Sequence, residues 1–184
     1  MTATLVIGGA RSGKSAHAEA LAASSGKKVV YLATAHARDA EMAARIALHR
    51  QRRQADWISV EEPLALGAAI ARWGAPDCVV LVDCLTVWLS NLLFSEQRDY
   101  PDVGVIMPPP AFSRERQALL ESLEQAGGDV ILVSNEVGMG IVPQGAISRW
   151  FVDEAGRLNQ AVAVRCDCAV LMVAGLPMQL KGAA

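Results

Sequence analysis

Five short apolar runs punctuate the chain, at residues 4–8, 29–34, 78–83, 129–134 and 169–173. Each is rich in β-branched residues and nearly continuous, the pattern of strands buried on both faces. Residues 57–60 suit one further short strand. Between the runs, apolar positions recur at helical spacing over 14–24, 39–53, 63–73, 113–126 and 148–164. Strand and helix alternate, so the pattern predicts a doubly wound α/β fold with a mostly parallel sheet flanked by helices. Segment 95–111 interrupts it with Gly104 and three consecutive prolines, 108–110. Those residues argue against a regular helix or a central strand there. Two readings of the segment stand open: a flexible excursion, or a cover over a substrate.

The 184 residues suit one domain spanning 1–184. A hydrophobic share of 52% with 20% charged residues belongs to a globular chain, and the net charge of -2 gives no reason to expect a nucleic-acid partner. Arg11 and Lys14 interrupt the amino-terminal apolar run well short of a membrane span, so no targeting segment or membrane insertion is expected. Cys78, Cys84, Cys166 and Cys168 lack the spacing of a zinc site and fit reduced, structural roles in the cytoplasm.

The chemistry starts at residues 8–15, GGARSGKS, directly after the first predicted strand. Gly8, Gly13, Lys14 and Ser15 satisfy the phosphate-loop pattern. Its glycines let backbone N–H groups converge on phosphate oxygens, and the following helix points its positive end at the anion. Lys14 would hold β/γ oxygens and the Ser15 hydroxyl would ligate Mg²⁺. Thr34, Asp83 and Asn135 end three other strands, on the edge where ligands bind in open parallel sheets. Asp83 is a candidate to orient Mg²⁺ or its waters, against the plainer role of capping the next turn. No guanine-reading Asn-Lys-x-Asp follows, which disfavours a signalling GTPase.

On a helix over 39–53, DAEMAARIALHRQRR, the side chains of Arg45, His49, Arg52 and Arg53 share a face. Guanidiniums beside an imidazole keep it neutral and nucleophilic, and they can bind the phosphates it would attack. The plainer reading is a solvated basic face carrying a stray histidine. His17 reads as a packing residue, and His36 stands near a strand end with no visible helper.

Beyond these motifs the chain resembles, from residue 5 to 181, the bifunctional adenosylcobinamide kinase / adenosylcobinamide-phosphate guanylyltransferase family of cobalamin biosynthesis. The resemblance rests on GGARSGKS at 8–15, YLATA at 31–35, DAEMAARIALHR at 39–50, W-x-x-x-EEP at 57–63, VDCLTVWLSNLL at 82–93, VSNEVGMGIVP at 133–143 and FVDEAGRLNQAVA at 151–163. It implies a RecA-like P-loop fold, a homotrimer, ATP, GTP and Mg²⁺ as nucleotides and metal, and a corrinoid as substrate. It implies that His49 attacks the α-phosphorus of GTP and carries GMP to adenosylcobinamide phosphate. The other activity phosphorylates adenosylcobinamide. Carried over position by position, Gly8, Gly9, Ala10, Arg11, Ser12, Gly13, Lys14 and Ser15 would cradle the triphosphate, and Ala33, Thr34 and Ala35 would line the nucleotide. Arg50, Gln51, Arg52, Arg53, Glu61 and Asp83 would contact GTP. Gln54 stands where many relatives carry proline. Segments 95–111 and 137–143 are both candidates for the corrinoid pocket.

Two other readings fit the phosphate loop. One is a kinase of another small metabolite without a covalent intermediate, and the other a RecA-like nucleotide-binding module without transferase activity. The first leaves the Arg45–His49–Arg53 face unexplained.

Overall fold

The computed structural model describes residues 1–35, 56–96 and 98–182. Seven strands form one sheet: β1 (Ala3–Gly8), β2 (Lys28–Ala33), β3 (Ile58–Glu61), β4 (Cys78–Asp83), β5 (Asp129–Asn135), β6 (Cys168–Val173) and β7 (Leu176–Lys181). Their spatial order is β3-β2-β4-β5-β1-β6-β7. All neighbouring pairs are parallel except β6 and β7. The helices are α1 (Lys14–Ser24), α2 (Leu66–Trp73), α3 (Leu85–Leu93), α4 (Pro110–Gln125) and α5 (Ala146–Arg165). The helix expected over 39–53 lies outside the described residues.

The continuous apolar runs are explained by two cores, one on each face of the sheet. Along β4, Val80 and Val82 enter the core shared with α2, α3, α4 and α5, while Val79 and Leu81 enter the core beneath α1. Successive strand side chains alternate faces, so a strand covered on both sides must be apolar throughout. Against the sheet α1 buries only Ala18 and Ala22, whose small side chains let the helix lie close to the phosphate-loop strand. Gly67 does the same between α2 and α4: a Cβ there would meet the Ala118 carbonyl group at 2.5 Å.

Several elements depart from the expected pattern. Helix α3 was absent from it, because seven of its nine residues are buried and a helix apolar nearly all round has no 3.6-residue polarity period. Helix α2 starts after residue 63 because the Glu62 Oε1 carboxylate oxygen accepts hydrogen bonds from the Leu64 and Ala65 amides, at 3.0 and 2.7 Å, holding the approach as a turn. Helix α4 begins at Pro110, inside the segment expected to exclude regular helix, since a proline in the first turn sacrifices no intrahelical hydrogen bond.

The rest of that segment is tied to the body. The Tyr100 hydroxyl donates to the Leu93 carbonyl at 2.6 Å, the Ala146 amide donates to the Asp102 carbonyl at 3.0 Å, and Ile106 is buried with Leu93 and Ala146.

The β6–β7 hairpin also lies outside the expected pattern. Its two-residue turn, Ala174 and Gly175, has φ of 52° and 80°, the left-handed pair that tight hairpins need. Pro177 sits in β7, which is tolerated because β7 is an edge strand.

Candidate functional site

The carboxyl ends of the strands bring the sequence-predicted residues to one edge in two groups. In the first, Gly8 pairs with Asn135 on β5 and with Met172 on β6. In the second, Ala33 pairs with Glu61 on β3 and with Asp83 on β4. Strand β5 joins the groups, with Val133 opposite both Asp83 and Val6.

The loop from Gly8 to Ser15 has the geometry of an anion cradle. Gly13, with φ of 94°, turns the chain into α1, and Arg11 also takes a positive φ, of 57°. A Cβ on Gly8 would lie 2.5 Å from Ser12 Oγ and 2.6 Å from the Met172 carbonyl oxygen, so only glycine fits. The Lys14 ammonium donates to the Gly9 carbonyl at 3.2 Å and so is held across the loop. Ser12 is buried, and its Oγ has no hydrogen-bond partner among the described residues. A buried hydroxyl without a partner is costly unless a ligand satisfies it. The cradle left open by glycine, the lysine and this hydroxyl all fit a bound polyphosphate. Ser15 at the helix start and Asp83 supply hard oxygen donors of the kind Mg²⁺ takes.

Around Asp83 the structure adds residues that motif reading missed. The buried Tyr31 hydroxyl donates to Asp83 Oδ2 at 2.8 Å and fixes the carboxylate, while its ring stacks on Trp57 at a centroid distance of 6.4 Å. Thr34 is 0% exposed. Its hydroxyl accepts from the Cys84 amide at 2.8 Å and donates to the Cys84 carbonyl at 2.9 Å, so its side chain holds the strand end after Asp83 rather than facing solvent. Ala35 is half-buried and Glu61, opposite Ala33 in the sheet, is exposed. Burial pushes the Cys84 thiol up to about 11, so it is protonated and unreactive at neutral pH.

Asn135 is held from three directions. Its amide donates to Thr86 Oγ1 at 2.7 Å, its Nδ2 lies 3.9 Å from Cys84 Sγ, and its carbonyl accepts from Asn159 Nδ2 at 3.3 Å. The one signal for this network in the sequence is polar residues at positions that should be apolar. His17, on α1, is half-buried. His49, Arg50, Gln51, Arg52 and Arg53, with Arg45 and His36, lie outside the described residues. No helix among the described residues is long and apolar enough to cross a membrane.

A phosphate loop at the β1–α1 junction, an acid two strands away and a ligand edge between them define a RecA-like, P-loop nucleotide-binding α/β protein. The ATPase EscN of the enteropathogenic E. coli type III secretion system shares this fold, with a TM-score of 0.53 and 14% identity over 94% of this chain and 43% of that one.

Closer likenesses are found in sequence. Residues 4–180 match the family described as cobinamide kinase / cobinamide phosphate guanyltransferase. The bifunctional adenosylcobalamin biosynthesis protein CobP of Pseudomonas aeruginosa is 53% identical over 97% of this chain and 96% of its own length. The bifunctional adenosylcobalamin biosynthesis protein CobU of Escherichia coli is 42% identical over 96% of this chain and 98% of its own. The chain belongs to the cobinamide kinase / cobinamide phosphate guanyltransferase family.

Proposed function

We propose that this chain is a bifunctional enzyme that phosphorylates adenosylcobinamide and then converts the phosphate to adenosylcobinamide-GDP. The observation that carries the reading is the family match over residues 4–180, which spans both the phosphate loop and the His49 segment. In the kinase step the substrate hydroxyl attacks the γ-phosphorus of ATP or GTP. An O–P bond forms, the β–γ bridge breaks, the nucleoside diphosphate leaves and the hydroxyl proton is released. Lys14 and the Gly8–Ser15 amides neutralise charge on the transferring group, the largest contribution a protein makes to such chemistry. Ser15 and Asp83 would hold Mg²⁺, which would supply further charge neutralisation.

In the second step a neutral His49 nitrogen attacks the α-phosphorus of GTP. The N–P bond forms as the α–β bridge breaks and pyrophosphate leaves. A phosphate oxygen of adenosylcobinamide phosphate then takes GMP from the histidine, and the N–P bond breaks. Two displacements at one phosphorus replace one difficult encounter between two anions. Arg50, Gln51, Arg52, Arg53 and Glu61 contact GTP in this reading, as do Ala33 and Ala35 at the strand end, while the buried Thr34 holds that end in place. The enzyme works in the cytoplasm as a homotrimer, each chain one catalytic domain.

Incubation with α-labelled GTP tests the proposal. The protein should acquire an acid-labile, base-stable label that chases into product when adenosylcobinamide phosphate is added. His49→Ala should abolish the label, while Lys14→Ala should weaken triphosphate binding and kinase turnover. An unlabelled wild type, or a labelled His49→Ala, refutes the covalent step.

A further inference from the structure

We infer that the loop between β5 and α5, residues 137–143, is the seat for the corrin macrocycle. The inference rests on the corrinoid reading above and locates the substrate within it. The loop leaves the sheet beside the phosphate loop: Asn135 pairs with Gly8, and the Glu136 amide donates to the Gly8 carbonyl at 3.1 Å. A molecule resting on it therefore borders the triphosphate cradle.

The surface there is apolar to an unusual degree. Met139, Ile141 and Val142 are 80%, 98% and 73% exposed, and contiguous exposed apolar side chains mark binding surfaces. Ile141 and Val142 edge a groove of about 240 Å³ whose wall includes Val152, Arg149 and Asp153.

Both ends of the loop are fastened. The Glu136 carboxylate accepts from the Gly138 amide at 2.8 Å. The Arg149 guanidinium donates to the Pro143 carbonyl at 3.2 Å and also to that of Gln144. The apolar tips are thus presented on a braced loop, which lowers the cost of binding.

An apolar rim over a groove carrying a guanidinium, a carboxylate and glycine backbone matches one kind of occupant. A corrin is a flat, apolar ring fringed with carboxamides that both donate and accept hydrogen bonds. The groove is too small for a whole macrocycle, so it takes an amide-bearing edge while Met139, Ile141 and Val142 lie against the ring face. The aminopropanol arm can then extend toward Lys14. Two other exposed apolar stretches differ from it. Val103, Val105 and Met107 flank Ile106, which packs on Leu93 and Ala146, and Leu176, Met178 and Leu180 lie along the edge strand β7. Among the described residues neither of these two lines the groove beside the 137–143 loop.

Equilibrium dialysis of adenosylcobinamide, followed by its visible absorbance, tests this with the full chain. Ile141→Asp, at a side chain that supports no core, should raise its Kd about tenfold or more, while binding of a fluorescent GTP analogue stays within about twofold. Val103→Asp should leave the corrinoid Kd unchanged. Equal corrinoid affinity in wild type and Ile141→Asp overturns the inference and leaves the proposed function standing. A wild type that binds no corrinoid overturns the function and the inference together. An Ile141→Asp protein of lower assembly mass by light scattering assigns the loop to contact with a second copy, and also overturns it.

Discussion

The Gly175 amide, in the turn of the carboxyl-terminal hairpin, donates to the Ser12 carbonyl at 2.9 Å. A hairpin that carries no recognisable motif thus braces the phosphate loop. The approach is close: a Cβ on Gly13 would stand 3.1 Å from the Gly175 Cα. Gly175→Pro removes the donor and forbids the φ of 80°, so it should weaken GTP binding and lower the melting temperature. Gly175→Ala keeps the amide and meets nothing within 4 Å, and should cost only about 1 kcal/mol for the left-handed backbone. Calorimetric GTP titration and thermal denaturation of the two variants separate brace from strain.

Gly8→Ala should be far more damaging than its size suggests. The added methyl would meet Ser12 Oγ and the Met172 carbonyl oxygen well inside contact distance, and overpacking of this kind costs about 1–3 kcal/mol. Because the displaced atoms belong to the cradle, GTP affinity should fall further than stability. Chemical denaturation beside a GTP binding isotherm reads both.

Tyr31→Phe tests the role of Asp83. Loss of the hydroxyl leaves the ring in its core but frees the carboxylate, and a hydrogen bond to a charged group contributes about 1.5–3 kcal/mol. The Mg²⁺ concentration for half-maximal turnover should rise several-fold. An unchanged Mg²⁺ dependence with a lowered melting temperature would leave the tyrosine a purely structural part.

Stability should decline on the alkaline side because of two buried thiols. Burial pushes Cys84 up to about 11 and Cys166 up to about 12, from an ordinary 9.0. Above pH 9 the unfolded chain releases these protons while the folded chain keeps them, so unfolding is favoured as pH rises. The slope is about 1.4 kcal/mol per pH unit per thiol until the folded group ionises. Urea midpoints measured from pH ~8 to ~10.5 should fall, and Cys166→Ala should make the fall shallower.

Much of the site was readable from neighbours along the chain. The phosphate loop announces itself because its glycines, lysine and serine act through adjacent backbone, and the apolar run before it and helical spacing after it place it at a strand–helix junction. Asp83 and Asn135 were visible as polar residues closing apolar strands. Tyr31 gave no such signal, since its value lies in a hydroxyl that meets Asp83 52 positions away. Thr34 directly follows the end of β2, where the apolar run places it, but burial turns its hydroxyl inward onto Cys84. Helix α3 lacked polarity contrast, and β7 was disguised by the proline that its edge position tolerates.

The sequence alone therefore determined the alternation of strands and helices, the class of ligand, and the candidate groups that handle it. These depend on local propensity and on which faces must be dry, and both are written in short-range pattern. Tertiary structure decided which strand ends stand side by side, that a distant hairpin supports the phosphate loop, and that the loop leaving the sheet beside Gly8 after β5 opens an apolar groove. Those relationships follow from strand order across the sheet, and spacing along the chain carries no record of strand order.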